Sequence, residues 1–83
     1  MASRMTHIKV LQHHIDFGVR GNAFLCPIAL AVHEQYPNVE KVAVGTSIYV
    51  DEVKLGLTPS QALEFMCAFD RERLVVPFEF DLE

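Results

Sequence analysis

The sequence predicts an α+β fold: a small two-layer sandwich in which a mostly antiparallel sheet of four or five strands carries two main helices on one face. Three observations predict it. Apolar and charged residues alternate over residues 7–11 and 78–82, the period of a half-buried strand. Apolar residues recur at helical spacing after Pro27 and Pro59, two prolines suited to a first helical turn. Turn formers at Gly45, Asp51, Glu52 and Gly56 punctuate the stretch between those helices. Residues 1–83 make one domain, and 51% hydrophobic residues with six phenylalanines suffice for a core without disulfide or metal staples.

Taken in order, the elements read β-α-α-β-β-(β)-α-β. Residues 1–5 are expected to fray, and Met5 is an alternative start. His7-Ile8-Lys9-Val10-Leu11 is a first strand with Ile8 and Val10 on one side. Residues 12–17 make a short helical turn stopped by Gly18 as a C′ glycine. After the loop 19–24, Cys26 sits at or near an N-cap. Ile28, Ala31, Val32 and Tyr36 share a helix face, Glu34 and Gln35 lie opposite, and Pro37 ends the helix.

Residues 39–44 and 48–50 form strands joined through Gly45-Thr46-Ser47. Asp51-Glu52 breaks the pattern and Val53-Lys54-Leu55 resumes it in shifted phase. That implies either a tight turn into a third strand or a bulge, ended by Gly56. Thr58-Pro59-Ser60-Gln61 reads as a capping box opening a helix over 59–71, whose apolar face is Ala62, Leu63, Phe65, Met66 and Phe69. In the last strand Phe78, Phe80 and Leu82 face in and Glu79, Asp81 and Glu83 face water. Pro77 places this strand at an edge or marks its first residue.

Composition excludes several functions. Cys26 and Cys67, with 40 residues between them and no CxxC pair, read as reduced thiols of a cytoplasmic protein. No signal peptide or membrane span is expected, because the longest apolar run, 25–32, is far short of ~20 residues. A net charge of −4 argues against direct nucleic-acid binding. Neither GxGxxG nor GxxxxGK occurs, and no cofactor is expected.

Four groups remain as candidates. Cys26 at a helix start is placed for an activated thiolate, with His7, His13, His14 or His33 as base; its plainer role is a buried apolar cap. Arg20, Gly21 and Asn22, with the amides near Cys26, suit a small nucleotide-like anion, unless Arg20 instead pairs with Asp16 or Asp70. The histidines give no metal pattern, since the adjacent His13 and His14 diverge by about 100° on a helix. Glu79, Asp81 and Glu83 form an acidic ridge that would steer a partner or guard an edge strand. Aromatic side chains exceed what so small a core can seat, which leaves Phe24 and Tyr49 for a partner protein or a homodimer.

One further pattern spans residues 7–82. His14-Ile15-Asp16-x-Gly18-x-Arg20-Gly21-Asn22, then Cys26-Pro27-Ile28-Ala29-Leu30-Ala31, Phe69-Asp70 and Pro77-Phe78-Glu79-Phe80, is similar to small bacteriophage- and prophage-encoded proteins of uncharacterised activity. The resemblance implies a phage accessory protein in the bacterial host cytoplasm, engaged in host takeover or in inhibition of a host enzyme or defence system. It carries over no catalytic residue. The expectation is therefore a non-enzymatic binding protein that acts on a host protein or as a dimer. Capture of a small anion comes second, and a Cys26 enzyme third.

Overall fold

A computed structural model describes residues 6–82, so the expectations for residues 1–5 and for Glu83 lie outside the described residues. The elements are β1 (Thr6–Val10), α1 (Gln12–Phe17), α2 (Pro27–Gln35), β2 (Val42–Val44), β3 (Ser47–Val50), β4 (Val53–Leu57), α3 (Ser60–Asp70) and β5 (Phe78–Leu82). The two segments with the clearest alternation pair with each other. β1 and β5 run antiparallel with Ile8 opposite Phe80 and Val10 opposite Phe78. Ile8, Val10, Phe80 and Leu82 are buried, while His7, Lys9, Glu79 and Asp81 face out.

β2, β3 and β4 form a second antiparallel sheet in that order. Both readings of the Asp51-Glu52 interruption hold at once. Asp51 and Glu52 adopt positive φ (49° and 70°), the turn that suits a two-residue hairpin. Opposite Ile48 and Tyr49, β4 then places Gly56 and Lys54, so Leu55 is the extra residue of a bulge. Gly56 lies inside β4, which runs on to Leu57. β4 meets β5 without forming a ladder, and the strands therefore divide between a two-stranded and a three-stranded sheet.

The helices attach for identifiable reasons. α2 packs on β1 and β2 through Ile28, Ala29, Ala31 and Val32, all buried. Its N-cap is Cys26, whose Sγ accepts the Ala29 N–H at 3.4 Å. Gly18 is not the left-handed C′ glycine expected, because its backbone is extended (φ −68°). Glycine is needed there for close approach: a Cβ would lie 2.6 Å from the Pro27 ring carbons. α1 and α2 thus touch through a missing side chain.

The capping box at α3 does not form. Thr58 is buried and its hydroxyl donates to the Gly45 carbonyl at 2.6 Å, tying the β2–β3 turn to the helix start. Pro59 becomes the N-cap without a side-chain bond, and the helix covers Ser60–Asp70, slightly inside the expected span. Ala62, Phe65 and Phe69 are its buried residues, with Leu63 and Met66 half-buried. Phe65 packs on Phe78 (4.6 Å between ring centroids) and Phe78 stacks on Phe80 (5.5 Å). Phe65 and Phe80 are buried and Phe78 half-buried between them, so this stack ties α3 to β5. No helix among the described residues is long and apolar enough to cross a membrane.

Candidate functional site

The loop between α1 and α2 has a polar head and an apolar heel, and the structure treats them differently. At the head Arg20 lies over the Phe69 ring, 5.1 Å from its centroid, and its Nε donates to the Phe69 carbonyl at 3.1 Å. Gly21, in the left-handed region (φ 67°), donates its N–H to the Asp70 carboxylate at 2.9 Å. The Asn22 side-chain oxygen accepts the N–H groups of Phe24 and Leu25 at 2.9 and 3.1 Å. A cavity of about 210 Å³ does lie between Gly21, Asn22, Cys26, Pro27 and Asp70. Its Asp70 carboxylate already holds the Gly21 amide and places a negative charge where a bound anion would sit. Cys26 is only 4% exposed, and burial pushes its thiol above the usual range, against the lowering by backbone N–H groups. The other cysteine, Cys67, is free and exposed.

The heel is open. Phe24 and Leu25 are about half exposed (53% and 46%). With Leu30 and His33 of α2 and with Glu40, Lys41 and Val42 at the start of β2 they line a groove of about 610 Å³. The groove is braced from below. His33 Nε2 meets the Val39 carbonyl at 3.0 Å, and the Asp51 carboxylate accepts the Glu40 and Lys41 N–H groups at 2.9 Å each. Its volume falls in the range of ligand-binding clefts, and its walls are predominantly apolar.

Of the residues singled out from sequence, Phe24 belongs to this groove and Tyr49 does not, being half exposed on β3. Leu30 and Val42 were not anticipated. The signal was the apolar run 25–32, longer than the buried positions of α2 require, with Leu30 as the surplus residue.

The acidic ridge is not bare. His7, opposite Asp81 on β1, bonds Asp81 through Nδ1 at 2.6 Å and Glu79 through Nε2. Hydrogen bonds to Asp81 and then Glu79 raise the His7 pKa above its ordinary value, and Lys9 stands opposite Glu79.

A second histidine cluster joins α1 to α2. His14, 3% exposed, accepts the Leu11 N–H at Nδ1 (2.9 Å), so its Nε2 carries the proton and donates to Glu34 at 3.0 Å. His13 Nε2 meets the other Glu34 oxygen at 3.2 Å. The donor atoms of His13, His14 and Glu34 lie within 4.8 Å of one another, a spacing compatible with a metal ion. The tautomer is not compatible: a ligating histidine normally donates its second N–H to an acceptor, and here that nitrogen accepts. The trio works as a clamp. Burial, then the neighbouring His13, pushes the His14 pKa down against the pull of Glu34, and the bond from His13 leads the lowering of the Glu34 carboxyl.

Compared with protein-family models, with curated proteins and with solved structures, the chain matches none.

Proposed function

We propose that the chain is a non-enzymatic binding protein whose partner is another protein, held in the groove beside Phe24, Leu30 and Val42. The observation that carries the reading is this braced apolar groove, against the polar loop head where the Arg20 Nε and the Gly21 amide are bound within the fold and the Asp70 carboxylate stands beside the small cavity. Aromatic and aliphatic anchors in a preformed cleft are what protein hot spots use. The similarity of residues 7–82 to phage-encoded proteins supports a host protein as the partner and host takeover or anti-defence as the context. Steering by the Glu79 and Asp81 face is weak in this reading, because His7 and Lys9 offset those charges.

Affinity capture from a bacterial host lysate identifies the partner, and binding of the purified partner then tests the site. Phe24→Glu is expected to weaken binding tenfold or more, about 1.4 kcal/mol, with Arg20→Ala within twofold of the native chain. The reverse order would replace this reading with capture of an anion by the loop head.

A further inference from the structure

We infer that α1 is an acid-released latch: a proton taken up at His14 frees residues 11–18 from α2 while the two sheets, α2 and α3 stay folded. The inference stands apart from the groove and rests on how α1 is held. A six-residue helix is too short to persist by itself, so α1 depends on what anchors it to α2. His14 is the one buried residue of the helix. The anchor is therefore a side chain that titrates.

Both ring nitrogens of that anchor are in use. Nδ1 accepts the Leu11 N–H at 2.9 Å, the bond by which the third helical residue closes back on the N-cap. Nε2 donates to Glu34 at 3.0 Å. A second proton has only Nδ1 to go to, and there it faces the Leu11 N–H, donor against donor. The cap bond is lost, and a cation is left in a site 3% exposed.

The charged groups around His14 do not compensate. Glu34 of α2 attracts the imidazolium, but its side chain is 59% exposed and it also meets His13. His13, on α1 itself, has its ring centroid 4.1 Å from that of His14 and repels it when charged. His33 of α2 is turned away to the Val39 carbonyl. Asp16, about 200° around the helix from His14, lies in the cleft that also holds Arg20, Glu72 and Arg73. Burial and His13 outweigh Glu34 and hold the His14 pKa below its ordinary value.

The opening is bounded at both ends. Val10 is paired with Phe78 in the β1–β5 ladder. Beyond α1 the Val19 N–H is held by the Leu25 carbonyl, and Arg20 and Gly21 are held by Phe69 and Asp70. Residues 11–18 thus leave α2 between two fixed points. Release adds the half-buried Ile15 to Leu11 and Phe17, already 43% and 77% exposed, so the opened segment is an apolar one.

The test is native-state hydrogen exchange on the full chain, each amide corrected for its intrinsic rate. The Leu11 and Ile15 amides should be protected about tenfold less than the Leu30 amide of α2, or lower still, and in low denaturant only Leu30 should lose protection. Between pH 7.5 and 5.0, protection at Leu11 and Ile15 should fall about threefold or more. His14→Gln, whose amide oxygen still accepts the Leu11 N–H without titrating, should flatten that dependence. Glu34→Gln removes the charge that favours the imidazolium and should steepen it. Protection at Leu11 and Ile15 that equals that of Leu30 and responds alike to denaturant would overturn the latch, because acid would then loosen the whole fold. A pH dependence that persists in His14→Gln also overturns it. Should that variant not fold, a dependence that Glu34→Gln leaves unchanged or makes shallower has the same force.

Discussion

Residues 20–22 and 24–25 belong to one loop and end in opposite states. The head hands a donor or acceptor from each of its residues to the fold: Arg20 Nε to the Phe69 carbonyl, the Gly21 amide to Asp70, the Asn22 oxygen to the next two amides. The heel leaves two large apolar side chains half exposed beside a cleft. The difference follows from what each kind of group needs. A backbone N–H is satisfied by one acceptor at about 2.9 Å, and a turn can supply it locally. An apolar side chain needs area, and the core is already filled by Ile8, Ile28, Val32, Ile48 and their neighbours. Polar residues in a loop therefore signal a site less reliably than apolar ones the core declines.

The comparison breaks most visibly where the loop is anchored. Gly18→Ala forces a methyl to within 2.6 Å of the rigid Pro27 ring, and chemical denaturation should show a loss of about 2 kcal/mol. Gly45→Ala, with no atom within 4 Å of the added carbon, should stay within about 0.5 kcal/mol of the native protein. Asp70→Ala removes the acceptor of the Gly21 amide and should cost about 1 kcal/mol, with faster exchange of that amide and none of Phe24.

Acid probes the same contrast on the two histidine sites. His14 is held below its ordinary pKa, so the unfolded chain binds its proton first and stability should fall as pH drops below 6.5 toward the lower folded value. His7 is held above, so its contribution is complete below 6.5 and fades as pH rises through the raised folded value. Histidine titrations followed by NMR should place the two on opposite sides of 6.5. The smallest expected effect on stability is at the heel. Phe24→Ser should shift it by no more than about 0.5 kcal/mol, because that side chain has little to lose on the surface of the free protein.

Much of the fold was legible in residues. Strict alternation located β1 and β5, and Pro27 after Cys26 located the start and cap of α2. Thr58 misled because a hydroxyl before proline serves equally well as a donor to a distant carbonyl, and only the packed β2–β3 turn decides which. Gly18 misled because glycine answers both to positive φ and to crowding, and the crowding comes from Pro27 across a loop. The histidine clamp was not legible: His14 and Glu34 are 20 positions apart, and no periodicity joins them. The groove was half legible, through Phe24 and the long apolar run, but its far wall at Val42 exists only once β2 is laid beside α2.

The claim at the centre is that the heel of the loop binds and the head does not. Calorimetric titration of the captured partner into the native chain, Phe24→Glu and Arg20→Ala tests it most directly. The account predicts that affinity collapses for Phe24→Glu and is kept for Arg20→Ala, with both variants folded by circular dichroism. Undiminished binding by Phe24→Glu, or its loss in Arg20→Ala alone, would contradict it.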